Sequence, residues 1–298
     1  MRAGIRISRQ EKIQKARDVL IERLAACDLC PRACGVNRMN NEEGFCKTGR
    51  LAKVNSAFLH FGEERELTGG GGSGTIFFSN CNLNCVYCQN YEISQLGSGE
   101  IVSSGKLADM MIRLQQDGAE NINFVTPTHV IAQIVEALCI AYKRGLCIPL
   151  VYNCGGYESS GTLKLIDGIF DIYMPDIKYS DNRLARTLSG VYDYWEVSRS
   201  AVLEMHRQAG DLIIDNGAAK KGLLIRHLVL PGLYKGAFKI IDFIRNDISV
   251  DTYVNIMDQY RPYYRAYEFN QLQRVLAENE YREVINYARD KGLYRGLS

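Results

Sequence analysis

The chain has 298 residues, and with 46% hydrophobic and 23% charged side chains its composition is that of a globular protein, which excludes a disordered or fibrous one. Its formal net charge is only +2, so nothing in the charge indicates a polyanionic partner, and binding to nucleic acid is unsupported. A chain of this length can bury a large core, and we expect one main domain with a small addition.

The beginning of the chain, RAGIRISRQEKIQKARD, lacks the apolar stretch of a secretory signal. No apolar run approaches the length of a transmembrane helix, so we predict a cytoplasmic protein without membrane contact. Ten cysteines in such a protein favour metal or redox chemistry over disulfides, because cytosolic thiols are kept reduced. Three of them, Cys139, Cys147 and Cys154, lie among apolar residues and are expected to be structural.

An amphipathic helix is predicted near the N-terminus, because apolar residues recur at helical intervals from Glu11 to Ala26. Residues 51–61 are predicted to form a pair of strands. The glycine-rich stretch TGGGGSG that follows predicts a flexible connection or a close approach of the backbone. We therefore divide the chain into an N-terminal helix with a cysteine-rich metal-binding module (1–68) and a main domain that includes a C-terminal helix (69–298).

Four cysteines lie in a short, loop-rich segment of the first part: Cys27, Cys30, Cys34 and Cys46. Four thiolates can close a tetrahedral zinc site or bind all four irons of a [4Fe-4S] cluster. The spacing does not distinguish these, so we predict a second metal site that holds zinc or an iron–sulfur cluster. Zinc would stabilise the fold or a docking surface, whereas a cluster would relay electrons.

The main domain alternates short apolar runs with helical periodicities, such as those of 107–117 and 130–143. This alternation predicts right-handed crossovers and a parallel sheet. Six strands are too few for a closed eight-stranded barrel, so the predicted fold class is α/β, a partial (β/α)6 barrel with a small N-terminal cysteine-rich module. Active sites of such barrels lie at the carboxyl ends of the strands. The predicted strands are 75–79, 121–126, 149–153, 171–177, 223–230 and 253–257.

Three further cysteines, Cys81, Cys85 and Cys88, have the spacing C-x3-C-x2-C and follow the first predicted strand. Three thiolates bind three irons of a [4Fe-4S] cluster and leave the fourth open to a small molecule. The alternative is a structural zinc site, which requires a fourth ligand from Cys154 or a histidine.

A cysteine triplet of this spacing after the first strand of a βα array resembles the radical S-adenosylmethionine superfamily. The resemblance implies a [4Fe-4S] cluster whose open iron binds S-adenosylmethionine. It also implies reductive cleavage to a 5′-deoxyadenosyl radical that abstracts hydrogen from a substrate. Tyr87 is expected to lie beside the adenine, and the electron is expected from a low-potential donor such as flavodoxin or ferredoxin.

A closer resemblance, from about Cys27 to Tyr260, is to the pyruvate formate-lyase activating enzyme family and its PflX-type branch, which has an N-terminal cysteine module. It rests on MPDIK at 174–178 and IRHLVLPG at 225–232. The resemblance implies that three charged residues help to hold S-adenosylmethionine: Asp176, Lys178 and Arg226. It also implies that Arg226 contacts the carboxylate of the cofactor and that a monovalent cation binds nearby. The alternatives are a surface ion pair and an arginine that packs a barrel layer.

The chain departs from that family at two strands. At the second strand the activating enzymes have G-G-E, whereas this chain reads NFVTPTHV, and polar contacts are expected instead from Thr126, Thr128 and His129. His129 is equally suited to the start of a helix. At the third strand Asn153 stands where the family has a carboxylate, so the sequence does not establish a cation site there. Asn153 itself is expected to contact the cofactor.

We therefore predict a radical S-adenosylmethionine oxidoreductase, similar to the glycyl-radical activating enzymes, that acts on a protein or peptide. One alternative keeps the radical chemistry but directs it to a small molecule or a nucleotide, with the tyrosines of QYRPYYRAY lining the substrate mouth. An alternative of another class is a non-catalytic metal-binding adaptor, which would be a colourless zinc protein that forms no 5′-deoxyadenosine.

Overall fold

The computed structural model describes residues 8–297 of the chain. Its strands are β1 (Ala52–His60), β2 (Ser73–Phe78), β3 (Glu100–Val102), β4 (Ile122–Val125), β5 (Leu150–Cys154), β6 (Ile172–Pro175), β7 (Ile213–Asp215), β8 (Ala218–Leu228) and β9 (Tyr253–Met257). Its α-helices are α1 (Arg9–Glu22), α2 (Arg65–Thr68), α3 (Tyr91–Ser94), α4 (Ser104–Gln116), α5 (Ile131–Lys143), α6 (Ser160–Leu165), α7 (Asn182–Ser189), α8 (Tyr194–Ala209), α9 (Gly236–Phe243) and α10 (Glu278–Asp290). Shorter helical turns occupy Arg23–Ala26, Arg38–Asn40, Thr128–Val130, Ile244–Ile248, Ala266–Glu268 and Asn270–Gln273. Within residues 8–297, no helix has both the length and the apolar character needed to cross a bilayer.

In this part of the chain six strands run parallel and lie side by side in sequence order, from β2 through β4, β5, β6 and β8 to β9. Antiparallel strands β1 and β3 extend the sheet beyond β2, and β7 pairs antiparallel with the start of β8. Each of the six predicted strands overlaps one of the parallel strands. The prediction of an α/β fold with a partial (β/α)6 barrel is therefore confirmed.

The N-terminal helix forms where the periodicity predicts it. Ser8 caps α1, because its Oγ accepts from the backbone N–H of Glu11 at 3.2 Å while the Glu11 carboxylate accepts from the Ser8 N–H at 2.8 Å. The buried face of the helix packs against α5 and consists of Ile13, Ala16 and Leu20. This helix therefore covers the outer surface of the barrel.

Residues 51–61 form a single strand, and the prediction of a strand pair there is wrong. β1 runs for nine residues antiparallel to β2, with a bulge between Val54 and Ser56. Only Ala52 and Val54 of this strand are buried, because the rest of β1 lies at the periphery of the sheet, where polar side chains are tolerated.

The glycine-rich stretch makes a close backbone approach, as expected. A Cβ at Gly71 would lie only 2.1 Å from the carbonyl oxygen of Gly118. Both α1 and β1 pack onto the main domain and share its hydrophobic core. The domain boundary at residue 68 stays a prediction.

The interior of the barrel has an apolar floor with a polar layer above it. Leu67 of α2 is fully buried inside the barrel, at the end where the parallel strands begin, and so closes that end. Its neighbours in the floor include Val151, Ile172, Met174 and Leu224. The polar layer lies nearer the carboxyl ends of the strands and includes Asn123, Asn153, Arg226 and Asn255.

The segment after β9 bridges the open side of the barrel. The backbone N–H of Arg265 donates to the carbonyl of Val86 at 2.8 Å, which joins this segment to the loop after β2. The C-terminal helix α10 packs instead on α9, where the ring of Tyr287 stacks on that of Phe238 at 4.4 Å. This helix therefore lies beside β9 on the outside of the barrel and does not form its mouth.

Candidate active site

A cavity of about 230 Å³ opens at the carboxyl ends of the parallel strands. Its walls come from the loop after β2, from β8 and the end of β9, and from the segments that follow β6 and β9. This is the end of an α/β barrel at which ligands bind. Two cysteines of the triplet line the cavity together with four charged residues: Cys85, Cys88, Asp176, Lys178, Arg226 and Arg261.

The loop of residues 81–88, here called the barrel cysteine loop, is fastened to the barrel by hydrogen bonds. Asn82 donates from its side chain to the carbonyl of Tyr157 at 2.8 Å. The backbone N–H groups of Asn84 and Val86 donate to carbonyls at the end of α7. These bonds hold the loop against the rim of the cavity.

The three thiols of this loop lie close enough together to affect one another. Burial is the largest cause of the raised pKa of Cys81, and Cys85 and Cys88 raise it further. Burial also raises the pKa of Cys85 to about 11, while the charge of Lys178 opposes this shift. A metal displaces these protons when it binds, and a nearby cation favours the thiolates. The donor set therefore fits an anionic cluster held by thiolates.

Asp176 joins two of the three cationic side chains that line the cavity, Lys178 and Arg226. Its Oδ1 accepts from Nε of Arg226 at 2.9 Å, and its Oδ2 accepts from Nζ of Lys178 at 2.7 Å. Burial opposes ionisation of Asp176, but Arg226 and Lys178 outweigh it and lower the pKa to about 2. The same pairing raises the pKa of Lys178, although burial opposes that shift. All three groups are therefore charged at neutral pH.

A carboxylate from the opposite end of the barrel reaches the same network. Glu63, which lies between β1 and α2, accepts from Nη1 of Arg226 at 3.3 Å and from the side chain of Asn123 at 2.9 Å. Asn153 accepts from Nη2 of Arg226 at 2.9 Å and donates to Glu63 at 3.4 Å. The side chain of Glu63 is only 11% exposed. Arg226 is thus held by three partners.

The sequence did not reveal Glu63 or its neighbour Glu64, whose two carboxylate oxygens both accept from Asn255 at 2.9 Å. Burial raises the pKa of Glu64. A signal was nevertheless present, because Asn123, Asn153 and Asn255 are polar positions within apolar strands, and a buried amide needs a hydrogen-bond partner.

Two predicted cofactor contacts have different positions relative to the cavity. Tyr87 lines it, and its buried ring packs against those of Tyr179 at 6.4 Å and Tyr260 at 6.1 Å. Thr126 adopts a left-handed backbone with φ of 63°, and its N–H donates to the carbonyl of Asn153 at 2.8 Å. Thr126 is not among the residues that line the cavity.

Thr128 and His129 make their contacts elsewhere. Oγ1 of Thr128 donates to the carboxylate of Glu158 at 2.6 Å. His129 lies in the turn that precedes α5, and its Nε2 is 2.8 Å from the carbonyl oxygen of Ser79. Burial lowers the pKa of His129 to about 4, so the ring is neutral. Neither residue lines the cavity of the barrel.

The zinc alternative for the triplet needs a fourth ligand in the cavity. Cys154 is buried in the hydrophobic core and does not line the cavity, and no histidine among residues 8–297 lines it. Within the same range, no three cysteine, histidine, aspartate or glutamate side chains converge on the position of a single metal ion. All ten cysteines are free thiols, with Cys139 and Cys154 buried and Cys147 exposed.

The four N-terminal cysteines line a second cavity, here called the front cavity: Cys27, Cys30, Cys34 and Cys46. Burial raises the pKa of Cys30 to about 12, and the proximity of Cys46 and Cys27 contributes to this shift. The structure therefore brings the four residues to one place. Whether they bind zinc or an iron–sulfur cluster stays a prediction.

Residues 67–144 match a family model described as a 4Fe-4S single cluster domain. The match runs from α2 to the end of α5 and includes Cys81, Cys85 and Cys88. Its description agrees with the cluster that the cysteine spacing predicts.

Solved structures with a similar fold include that of Streptococcus suis SuiB bound to the precursor peptide SuiA, with a TM-score of 0.48 and 12% identity over 73% of this chain and 46% of that one. Another is native anSMEcpe with bound AdoMet and Kp18Cys peptide, with a TM-score of 0.50 and 14% identity over 71% of this chain and 57% of that one. The chain thus spans about half the length of these proteins. The second likeness shows that the two chains share a fold.

The chain belongs to the same protein family as the uncharacterized protein MJ0674 of Methanocaldococcus jannaschii. The two are 34% identical over 271 residues, which are 88% of this chain and 74% of that protein. The family model and the fold together support the resemblance to the radical S-adenosylmethionine superfamily. The closer resemblance to the activating enzymes of pyruvate formate-lyase stays a prediction.

Proposed function

We propose that the chain is a radical S-adenosylmethionine enzyme in which Cys81, Cys85 and Cys88 bind a [4Fe-4S] cluster whose open iron binds the cofactor. When bound, these groups supply a one-electron cleavage that yields a 5′-deoxyadenosyl radical, which takes a hydrogen atom from the substrate. One observation carries the proposal: two of the three thiols share a cavity with Lys178 and Arg226 at the carboxyl end of the barrel.

The charged residues of the cavity suit an anionic carboxylate next to a thiolate cluster. Lys178 uses one N–H on Asp176, so it has donors left for the carboxylate of S-adenosylmethionine. Arg226 is fixed by Asp176, Asn153 and Glu63 and adds a positive charge at a constant position. Asp176 keeps both cations oriented, because its own charge persists throughout the neutral pH range.

The wall between β9 and β2 limits access of water to the reacting atoms. Tyr87 and Tyr260 pack together there, and both are buried. Tyr264 adds a second contact between the segments that follow β9 and β2, because its ring stacks on that of Tyr91 with the ring centres 5.1 Å apart. Exclusion of water protects a reactive radical from side reactions.

The proposed substrate is a protein or a peptide. The outer rim of the cavity carries the exposed amides of Gln89, Asn90 and Gln259. Each amide has a donor and an acceptor and therefore matches the peptide group. The anSMEcpe structure holds a peptide, and we extend this class of substrate to the present chain. The resemblance to the activating enzymes favours glycyl-radical formation, with the electron from a flavodoxin or a ferredoxin.

The test is formation of 5′-deoxyadenosine after anaerobic reconstitution with iron and sulfide and addition of dithionite and S-adenosylmethionine. We expect product from the wild type and from Cys147→Ala, because Cys147 is exposed and lies outside both cysteine sites. We expect none from the triple variant Cys81→Ala, Cys85→Ala, Cys88→Ala. A wild type that contains its full iron yet forms no product would contradict the proposal, whereas a colourless, zinc-loaded wild type that forms no product would favour the adaptor hypothesis.

A further inference from the structure

The front cavity contains buried donors without acceptors. Arg38 is 1% exposed, and its Nη2 has no hydrogen-bond partner among residues 8–297. Its Nη1 lies 3.7 Å from Sγ of Cys27 and donates to the carbonyl of His129 at 2.8 Å. Arg32, whose guanidinium lies 3.6 Å from the ring centre of Phe45, has an Nη2 that is buried and unpartnered in the same way. Because buried donors are normally satisfied, these two indicate an anionic ligand beside the thiols.

An iron–sulfur cluster satisfies these donors better than zinc does. Four thiolates make either site anionic, but only the cluster adds inorganic sulfides that accept hydrogen bonds. The backbone N–H of Phe45 already donates to Sγ of Cys34 at 3.5 Å. Gly44 permits this approach, since a Cβ there would lie 2.9 Å from the same sulfur.

The front cavity is in contact with the barrel cysteine loop through Arg32. This side chain lines the front cavity, and its Nε donates to the carbonyl of Asn82 at 3.0 Å. Its Nη1 donates to the carbonyl of Gly190 at 2.7 Å, at the end of α7. One guanidinium therefore links the two cysteine sites.

A second contact runs from Cys46 to Cys81. The hydroxyl of Thr48 donates to the carbonyl of Cys46 at 2.9 Å. The side chain of Asn80 donates to the carbonyl of Lys47 at 2.9 Å and to the hydroxyl of Thr48 at 3.2 Å. Asn80 directly precedes Cys81, and one surface cleft is lined by both Cys46 and Cys81. Hydrogen bonds and a few covalent bonds thus connect a front thiol to a barrel thiol.

We propose that Cys27, Cys30, Cys34 and Cys46 hold a second [4Fe-4S] cluster, and that this cluster passes electrons singly to the cluster of the barrel cysteine loop through the contact at Asn80. This rests on the proposed function. Zinc cannot serve in this role because it has no accessible change of oxidation state.

The electron balance needs one reductant, a low-potential one-electron donor of the flavodoxin or ferredoxin class. The donor is oxidised by one electron and the front cluster is reduced by one. The front cluster then returns to its oxidised state while the barrel cluster is reduced by one. No bond is broken and no proton is required in this exchange.

The first test counts metal in the full chain after anaerobic reconstitution with iron and sulfide. We expect about eight irons and no zinc in the wild type and in Cys147→Ala, and about four irons in the variant with alanine at all four front cysteines. Electron paramagnetic resonance after reduction should show two signals, one of which is lost in that variant. Four irons with one zinc in the wild type would overturn the proposal.

The second test concerns the path and uses Asn80→Gly, which removes the amide and suits the left-handed φ of 70°. The matched control is Asn216→Gly, which also has positive φ but lies in the turn between β7 and β8. With reduced flavodoxin as the donor, freeze-quench spectra should show reduction of the barrel cluster slowed about tenfold in Asn80→Gly and unchanged in Asn216→Gly. Both variants should retain eight irons.

Equal reduction rates in the wild type, in Asn80→Gly and in the variant without front cysteines would overturn the relay. Failure of the proposed function has a different signature. With dithionite, the variant without front cysteines should still form 5′-deoxyadenosine. If no sample forms 5′-deoxyadenosine while the iron counts are as expected, the result supports the second cluster and contradicts the proposed radical chemistry.

Discussion

Arg226 donates from Nε to Oδ1 of Asp176 at 2.9 Å, and neither side chain is more than 19% exposed. Their backbones also pair, because the N–H of Ile177 donates to the carbonyl of Arg226 at 2.8 Å. The ion pair therefore joins the ends of two adjacent parallel strands in the wall of the cavity. A cofactor bound there would meet a positive charge that cannot move.

Asp176→Asn should weaken binding of S-adenosylmethionine at least tenfold. The amide carries no charge and keeps only one acceptor oxygen, so either Lys178 or Arg226 loses the acceptor that orients it. Equilibrium binding to the reconstituted protein measures the effect. The control is Asp109→Asn, whose exposed ion pair with Arg144 is remote from the cavity. Equal affinities of the two variants would contradict the role given to Asp176.

Glu63→Gln should lower the free energy of unfolding by about 2 kcal/mol, because it removes the charge from a buried acceptor of Arg226. Urea denaturation of the chain without metal gives this value directly. Glu100→Gln is the control, since Glu100 is exposed in β3. If both substitutions change the unfolding free energy equally, Glu63 does not contribute through this network.

Gly156→Ala should destabilise the protein far more than Gly145→Ala. Both glycines have positive φ, of 76° and 91°. A Cβ at Gly156 would lie 2.2 Å from the carbonyl oxygen of Asp176, whereas a Cβ at Gly145 meets nothing within 4 Å. We expect a cost of about 1 kcal/mol at Gly145 from backbone strain alone, and about 3 kcal/mol or more at Gly156.

Chemical denaturation of the two glycine variants provides the comparison. The folded fraction of Gly156→Ala should also bind S-adenosylmethionine more weakly, because the new Cβ displaces the strand end that carries Asp176. Similar unfolding free energies for the two variants would show that the chain can relax around Gly156 and that the contact is unimportant.

Relative to the wild type, Glu158→Gln should be more stable at pH 8 than at pH 5. Burial raises the pKa of Glu158 to about 7, although hydrogen bonds from Thr128 and Tyr152 oppose this shift. The folded protein thus holds this proton more tightly than the unfolded chain does. The associated stability is complete below the unfolded pKa and is lost as the pH rises through the folded pKa.

The difference in unfolding free energy between Glu158→Gln and the wild type should therefore grow by roughly 3 kcal/mol over this pH range. Glu100→Gln again serves as the control and should show no such growth. A constant difference for Glu158→Gln would mean that Glu158 is already ionised in the folded protein.

The sequence predicted those parts of the site that local patterns encode. Apolar runs identified the six parallel strands, and the spacing of Cys81, Cys85 and Cys88 placed a cysteine loop at the barrel mouth. The stretches MPDIK and IRHLVLPG placed Asp176, Lys178 and Arg226 at strand ends, where the structure brings them into one cavity.

Other parts depend on contacts between distant segments, which no local pattern reveals. Glu63 meets Arg226 across 163 residues of chain, and Arg38 enters the front cavity beside His129, 91 residues away. Each such partner forms a hydrogen bond with a buried polar group, and the sequence shows that this group requires a partner. Which distant residue satisfies it follows only from the packing of the barrel.

The central claim is that S-adenosylmethionine binds the open iron of a cluster held by Cys81, Cys85 and Cys88. Electron–nuclear double resonance of the reduced cluster with cofactor labelled by carbon-13 at its carboxylate tests it most directly. We predict a carbon coupling in the wild type and in the variant without front cysteines, and its loss in the triple variant of the barrel cysteines. A reduced, fully loaded cluster that shows no coupling to the bound cofactor would contradict the claim.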